Sequence, residues 1–217
     1  MNIAISSGKG GTGKTFIAVN LAVVLSERGR DITFLDCDVE APNAHLFLKP
    51  AIQTTEPLRI LSPIRIDSDA CTLCGRCVTA CNYNALAKVK DRILLFSELC
   101  HACGACSLVC PTNAIIEAEK PIGHIDSGVA RERIAFHTGL LKTGIGGMSP
   151  RIIKALKHRA GQDITLLDSP PGTTCPTVET VTGVDLCVLV SEPTPFSVHD
   201  LKLSVNMCRT IGIEPVV

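Results

Sequence analysis

The sequence is poor in aromatic residues and carries no excess of either charge. Its 217 residues include no tryptophan, one tyrosine and six phenylalanines, which leaves little surface on which nucleic-acid bases could stack. Lysine and arginine together number 21, as do aspartate and glutamate, so no basic face for nucleic acid is indicated. No apolar run approaches the ~18 residues of a membrane-spanning helix, and the N-terminus does not have the form of a signal peptide. We therefore expect a cytoplasmic protein with no membrane segment and no nucleic-acid partner.

Cysteine, in contrast, is abundant, and eight of the 12 cysteines fall in two runs with the same spacing. In the reducing cytoplasm such runs indicate metal binding rather than disulfides. In each run two residues separate the first three cysteines, and three residues precede the fourth. This is the run of bacterial two-cluster ferredoxins, in which the fourth cysteine ligates the opposite cluster. The spacing therefore predicts two [4Fe-4S] clusters, one held by Cys71, Cys74, Cys77 and Cys110, the other by Cys81, Cys100, Cys103 and Cys106.

Zinc is the competing interpretation, because Cys-x-x-Cys pairs also build zinc sites. Zinc does not explain why the same run of four cysteines occurs twice, so the iron–sulfur interpretation is favoured. Asn82 follows Cys81 where proline is usual, a departure that removes no ligand. The fourth cysteine of each run is expected to begin a short helix. His101, which lies between two ligands, is expected near the second cluster without ligating it.

A phosphate-binding loop follows the first predicted strand. Residues 8–15 read Gly-Lys-Gly-Gly-Thr-Gly-Lys-Thr, which fits G-x-x-x-x-G-K-[ST]. An apolar run at residues 2–7 precedes the loop, and apolar residues at helical spacing follow it over residues 16–28. Backbone N–H groups and the helix N-terminus together attract phosphate. We expect Lys14 to reach the β- and γ-phosphates and Thr15 to hold Mg²⁺.

Two further predicted strands end in aspartate. Residues 31–36 end at Asp36, which Cys-Asp follows, and residues 163–168 end at Asp168, which Ser-Pro-Pro-Gly follows. Together with Lys9 inside the phosphate loop, these segments resemble the MinD/ParA/Mrp family of ATPases, which also includes the nitrogenase iron protein. The resemblance implies an α/β P-loop NTPase fold with a mostly parallel sheet flanked by helices.

The resemblance also implies roles for the catalytic residues. Lys9 would cross the interface of a homodimer that forms on ATP binding and would touch the nucleotide of the partner. Lys14 would contact the phosphates within its own subunit, and Asp38 would align the attacking water. Lys9, Lys14 and Asp38 are therefore the expected catalytic residues.

The remaining ligands of Mg-ATP follow from the same resemblance. Mg²⁺ would be held by Thr15, Asp36 and Asp168. The adenine-flanking loop would include Glu192 and Pro193. The family's Asn-Arg pair and C-terminal helix do not follow the last predicted strand, so the chain is expected to be truncated at its C-terminus. The residues expected to bind nucleotide (ATP or ADP) are Gly8, Lys9, Gly10, Gly11, Thr12, Gly13, Lys14, Thr15, Glu192 and Pro193.

The cysteine runs are expected to form an inserted domain. A bacterial-type ferredoxin unit of the α+β class at residues 67–118 would interrupt a discontinuous ATPase domain made of residues 1–66 and 119–217. Surface loops tolerate such insertions when the two ends of the insert lie close together.

Several local elements are also predicted. Residues 86–96 and 114–125 are expected to form hairpin strands of the insert. Residues 139–150 contain four glycines and are predicted to be a flexible connection. Ser197 is the expected N-cap of the helix that follows the adenine-flanking loop.

The favoured function is an ATP-hydrolysing iron–sulfur protein that couples dimer switching to electron transfer, with an unidentified protein as redox partner. Two alternatives remain open: an iron–sulfur cluster scaffold or carrier of the Mrp type, and a MinD-like positioning ATPase whose clusters are structural. The role of Cys175, just beyond the second aspartate segment, also remains open between a redox or cluster-bridging role and a structural one.

Overall fold

The computed structural model describes residues 1–161 and 163–217. The strands are β1 Asn2–Ser6, β2 Ile32–Asp36, β3 Ala51–Ile66, β4 Leu86–Val89, β5 Arg92–Leu95, β6 Ile115–Ala130, β7 Ile134–Leu141, β8 Ile164–Asp168, β9 Leu186–Leu189 and β10 Pro215–Val216. The helices are α1 Lys14–Glu27, α2 Ala44–Leu48, α3 Arg76–Thr79, α4 Ala105–Leu108, α5 Ser149–Lys157, α6 Cys175–Val181 and α7 Pro195–Thr210. Among the described residues, no helix is long and apolar enough to cross a membrane.

An eight-stranded sheet has the order β10-β9-β1-β8-β2-β7-β6-β3. The strands from β10 to β7 in this order pair in parallel, whereas β6 runs antiparallel to β7. The central strands are apolar along almost their whole length because parallel strands of this kind are buried on both faces. The α/β fold with a mostly parallel sheet is thereby confirmed.

The main apolar core lies between this sheet and the helices α1 and α2. Phe34 of β2 and Phe136 of β7 stack at the centre of it, with ring centroids 5.9 Å apart. The other face of β7 packs on α5, where Gly139 lies against Ile152 and Leu156. A Cβ at Gly139 would come within 2.6 Å of Ile152 Cγ2, so glycine permits this close packing of helix and strand.

The chain divides into two compact units. The first contains residues Met1–Glu56, Gly123–Leu141 and Ser149–Val217, and the second contains Pro57–Ile122 and Lys142–Met148. Two long strands, β3 and β6, carry the chain out of the first unit and back into it. The second unit also holds the two-stranded β4–β5 hairpin, as predicted for residues 86–96.

A strand is present where residues 114–125 were predicted to form one, but it is longer: Ile115–Ala130 belong to the second unit up to Ile122 and pair with β7 from Gly123 onward. Two other local predictions are wrong. Residues 139–150 are not one flexible connection, since they include the end of β7 and the start of α5. The N-cap of α7 is Thr194, whose side chain accepts a hydrogen bond from the backbone N–H of Ser197.

Candidate functional site

The loop between β1 and α1 has the backbone shape that phosphate binding requires. Gly11 and Gly13 have φ values of 82° and 91°, in the left-handed region that favours glycine. Gly8 is required for a different reason, because a Cβ there would lie 2.5 Å from the backbone carbonyl of Asp200 in α7. The loop thus leads directly into the N-terminus of α1, where free backbone N–H groups can bind phosphate.

Two polar side chains of the loop have buried polar or charged groups. Lys14 is only 7% exposed. The buried Oγ1 of Thr12 finds no hydrogen-bond partner within the described part of the chain. A buried cation and an unpaired hydroxyl fit phosphate oxygens, which would pair with both.

Asp36 and Asp168 end neighbouring parallel strands and are register partners, so their side chains lie side by side. Both are buried. Thr15 Oγ1 donates to Asp168 Oδ2 at 2.6 Å, while the buried Oδ1 of Asp168 has no partner among residues 1–161 and 163–217. The structure therefore brings together the three residues predicted to hold Mg²⁺.

Burial changes the acidity of these carboxyl groups. It raises the pKa of Asp36 to about 8, with a further increase from the charge of Asp168. It also raises the pKa of Asp168 to about 6, opposed by the hydrogen bond from Thr15 and by the charge of Lys14. Two adjacent buried carboxylates are unfavourable without a cation, so this pair fits Mg²⁺.

Asp36 also shapes the segment that follows it. Its two oxygens accept hydrogen bonds from the backbone N–H of Asp38 at 3.3 Å and of Ala44 at 3.1 Å. The carboxylate thereby holds the turn that leads into α2. Sequence reasoning assigned Asp36 to the metal alone and missed this second role, for which the short Asp-x-Asp spacing was the available signal.

Asp38 lies at a hollow between the two aspartate segments. The hollow has a volume of about 290 Å³ and is also lined by Glu40, Pro170 and Pro171. Glu40 accepts a hydrogen bond from Ser149 at 2.7 Å, so α5 contributes to this wall. Burial raises the pKa of Asp38, and the positive charge of Lys14 opposes the increase. A carboxylate beside the phosphate-binding lysine can orient a water molecule toward phosphorus.

Lys9 is held within its own chain. Its Nζ lies 2.9 Å from Oε2 of Glu192, and the two side chains are 34% and 42% exposed. Glu192 and Pro193 form the loop before α7, so the structure places this loop next to the phosphate loop. The pairing of Lys9 with Glu192 was not predicted from the sequence, because the two residues are far apart along the chain. The predicted contact of Lys9 with a partner subunit stays a prediction.

In the second unit, the eight cysteines of the two runs line two separate pockets. One pocket is lined by Cys71, Cys74, Cys77 and Cys110 together with Ile66, Ile93 and Ile115. The other is lined by Cys81, Cys100, Cys103 and Cys106 together with Leu86, Leu95 and His101. Each pocket has a cavity volume of about 20 Å³. Each pocket thus combines three cysteines of one run with the fourth of the other.

The backbone of this unit repeats after 29 residues. Left-handed φ values of 55° and 48° occur at Leu73 and Ala102, and of 53° at both Asn84 and Asn113. Such values are unfavourable for side chains other than glycine and persist only where the surrounding structure imposes them. Both cysteine loops are therefore held in the same unusual shape, which bends them around the pockets.

Backbone N–H groups point at several of the sulfur atoms. Ala85 donates to Cys81 Sγ at 3.3 Å, and Ala114 donates to Cys110 Sγ at 3.2 Å, in equivalent positions of the two halves. The N–H of Ala102 donates to Cys100 Sγ at 3.4 Å. At Cys110 burial raises the pKa of the thiol, but hydrogen bonds from backbone N–H groups lower it overall, which suits this cysteine to metal ligation.

One expectation for this unit is wrong. The fourth cysteine of each run does not begin a helix: Cys81 and Cys110 follow α3 and α4, and the third cysteine of each run lies inside the helix. In the described residues, no three Cys, His, Asp or Glu side chains are close enough together to hold a single metal ion.

Residues 3–214 match the CobQ/CobB/MinD/ParA nucleotide-binding domain. The chain belongs to this family. An uncharacterised protein of Methanocaldococcus jannaschii is 37% identical over 218 residues, which cover 99% of this chain and 75% of that protein. An iron–sulfur cluster carrier protein of Synechocystis is 54% identical over 46 residues, which are 21% of this chain and 13% of that protein.

Solved structures of the MinD and ParA type share the fold. MinD of Pyrococcus horikoshii, in complex with Mg-ADP, has a TM-score of 0.55 at 18% identity over 99% of this chain and 67% of that chain. A ParA family ATPase from Chlorobium tepidum has a TM-score of 0.55 at 14% identity over 99% of this chain and 70% of that chain. The nucleotide-binding domain expected from the phosphate loop is therefore present.

Proposed function

We propose that this protein binds and hydrolyses ATP, carries two [4Fe-4S] clusters, and couples nucleotide-driven dimer switching to electron transfer to a protein partner. The observation that carries the proposal is the pair of pockets, each lined by four cysteines, in a chain that belongs to a nucleotide-binding family. The second unit would then be a ferredoxin-like domain inserted into the ATPase domain.

In the first unit, different residues would bind the phosphates, hold Mg²⁺ and orient the attacking water. Backbone N–H groups of residues 8–15 and the buried Lys14 would bind the phosphates. Thr15, Asp36 and Asp168 would hold Mg²⁺, and Asp38 would orient the attacking water. Because this reaction needs charge compensation and positioning more than covalent help, these groups suffice for hydrolysis.

Lys9 would connect hydrolysis to dimer formation. In the single chain it pairs with Glu192. Both side chains are partly exposed, so the pair is worth little and exchange to a stronger partner costs little. The phosphates of a nucleotide held by a second copy would be such a partner.

On the cysteine side, the residues fit the proposed clusters. Four cysteine side chains line each pocket, and backbone N–H groups donate to three of the sulfur atoms. A cluster of four irons spreads its ligands farther than one zinc ion with Zn–S bonds of about 2.3 Å, which agrees with the wide spacing of the cysteines. Bound clusters of this type supply one-electron carriers whose potentials depend on exposure and on hydrogen bonds to sulfur.

The test is an iron and sulfide determination on anaerobically prepared protein. We expect about eight irons and about eight acid-labile sulfides per chain, and loss of about half in Cys106→Ser. Cys208→Ser is the matched control, since Cys208 is buried in the first unit beside Cys187 and should leave the iron content unchanged. Stoichiometric zinc without visible charge-transfer absorption would refute the cluster assignment.

A second candidate function is cluster delivery. It is favoured by short stretches of similarity to iron–sulfur cluster carrier proteins, such as the 41% identity over 56 residues with the carrier of Methanocaldococcus jannaschii. Incubation of the loaded protein with an apo-ferredoxin distinguishes the two functions. Clusters held by four thiolates each should stay with the chain in electron transfer, whereas a carrier would transfer them.

A further inference from the structure

A cavity of about 420 Å³ lies in the first unit and is distinct from the hollow at Asp38. Its volume falls within the range of about 300–1,000 Å³ that is typical of small-molecule sites. The walls come from α2 and its C-terminal residue on one side and from β3, β6 and β7 on the other. Nothing in the phosphate site or the cysteine pockets accounts for it.

The sheet register places two polar side chains of the cavity next to each other. Asp126 of β6 and Thr138 of β7 are directly opposed across the antiparallel pair, so they point to the same face of the sheet. Thr138 is also the register partner of Asp36 on β2. The cavity is therefore one strand away from the carboxylate pair of the phosphate site.

Thr138 gives an independent sign of a ligand. The residue is 8% exposed, and its buried Oγ1 has no hydrogen-bond partner in residues 1–161 and 163–217. A buried hydroxyl without a partner is unfavourable, and a ligand that offers a donor or an acceptor would remove the penalty.

The walls of the cavity carry opposite charges and an apolar surface. His45 and Lys49 supply donors from the side of α2, and Asp126 supplies a carboxylate from β6. The Asp126 carboxylate accepts a hydrogen bond from Thr55 Oγ1 at 2.6 Å, and its other oxygen lies 3.6 Å from His124 Nε2. Because a carboxylate can accept about four hydrogen bonds, it can still accept one from a ligand. The side chains of Ile52 and Leu140, 46% and 39% exposed, provide the apolar surface.

These features select a zwitterion. An inorganic anion would be repelled by Asp126, and a simple amine would be repelled by Lys49. We propose that this cavity binds a free α-amino acid with a short aliphatic side chain. The carboxylate would pair with Lys49 and His45, the ammonium group with Asp126, and the aliphatic chain would cover Ile52 and Leu140. The cavity is also lined by Pro42, which belongs to the segment after Asp36. A bound amino acid would therefore contact a segment that adjoins the phosphate site.

The test uses three probes on the full chain: L-leucine, 4-methylpentanoate, which lacks the amine, and 3-methylbutylamine, which lacks the carboxylate. Saturation-transfer NMR and calorimetry measure binding. We expect leucine to bind about tenfold more tightly than either analogue, since each lost charged hydrogen bond is worth about that factor. Lys49→Gln should weaken leucine about tenfold and should strengthen 3-methylbutylamine, because the charge that repels its ammonium group is gone.

A matched control is available. Lys90 is an exposed lysine in the second unit with the same left-handed backbone as Lys49, with φ values of 51° and 48°. Lys90→Gln should bind leucine like the parent. Absence of leucine binding, equal affinity for the three probes, or equal weakening in both lysine variants would overturn the proposal. Because binding alone is measured, the outcome is separate from that of the iron determination.

Discussion

Lys14, Asp36 and Asp168 are the charged side chains that the fold buries among the described residues. All three lie at the phosphate site. Burial of a charge is unfavourable unless it is paired, and the pairing in this site is incomplete without a ligand. The chain without nucleotide and Mg²⁺ should therefore have a lower free energy of unfolding than the chain with Mg-nucleotide bound.

This instability predicts a pH dependence. Because the pKa of Asp36 rises from its ordinary 3.8 to about 8 on folding, the folded chain binds this proton more tightly than the unfolded chain. Stability should therefore be greatest near the ordinary pKa and should fall as the pH rises toward 8. Denaturant unfolding of the metal-free chain at about pH 5.5 and about pH 8 should differ by more than about 1 kcal/mol.

In Asp36→Asn this difference should largely disappear, because the amide does not ionise. Asp91→Asn, an exposed aspartate in the β4–β5 turn, is the control and should keep the dependence of the parent. A parent whose stability does not change over this range would contradict the assigned burial of Asp36.

The pair of Lys9 and Glu192 predicts a gain of function. Glu192→Gln removes the charge that holds Lys9 within its own chain. Lys9 should then be available to the nucleotide of a second copy, and the proposed ATP-dependent dimer should form at several-fold lower protein concentration. Sedimentation velocity with a non-hydrolysable ATP analogue measures this. Glu214→Gln, which breaks the exposed pair with Arg209, should behave like the parent. Weaker dimerisation of Glu192→Gln would indicate that Glu192 serves the nucleotide rather than restraining Lys9.

At the scale of elements, the packing of α5 on β7 positions Ser149. This residue donates a hydrogen bond to Glu40, and both line the hollow at Asp38. Gly139→Ala should destabilise this contact, because the added Cβ would meet Ile152 Cγ2 at 2.6 Å and Val39 Cγ1 at 2.9 Å. Overpacking of this kind costs about 1–3 kcal/mol, which chemical denaturation can measure. Gly146→Ala is the control, since no atom lies within 4 Å of the added Cβ. Equal stability of the two variants would mean that α5 moves away without cost.

The elements also show how far sequence reasoning extends. The strands β1, β2 and β8 and the helix α1 were predicted because each is a continuous apolar run or a helical period next to a recognisable motif. The strand β7 was missed, since its sequence contains Gly139 and its identity depends on pairing with β2, about 100 residues away in sequence. Polar pairs such as Lys9 with Glu192, and the unpaired hydroxyl of Thr138, depend equally on non-local register.

At the scale of the whole molecule, the strands β3 and β6 link the nucleotide unit to the cysteine unit. The segment after Asp36 leads through α2 into β3, which belongs to the first unit up to Glu56 and to the second unit from Pro57. A change of this segment with nucleotide therefore has a covalent route to the cysteine loops.

This route predicts that ATP changes the redox behaviour of the proposed clusters, and that the change requires Lys9. A redox titration with and without a non-hydrolysable ATP analogue should show a shift in the parent and none in Lys9→Ala. A coupling free energy of about 1–3 kcal/mol would be ordinary for such a link. Identical midpoints in all four samples would separate the clusters from the nucleotide and would favour cluster delivery.

Tyr83 is the one tyrosine of a chain that has no tryptophan, and its ring stacks on His101 with centroids 3.8 Å apart. Both rings line the second cysteine pocket. With excitation at wavelengths where phenylalanine does not absorb, the intrinsic fluorescence of this chain therefore arises from one fluorophore, and it lies in the second unit. A change in this emission when nucleotide is added would report a signal received at the cysteine pocket, without any label having been attached.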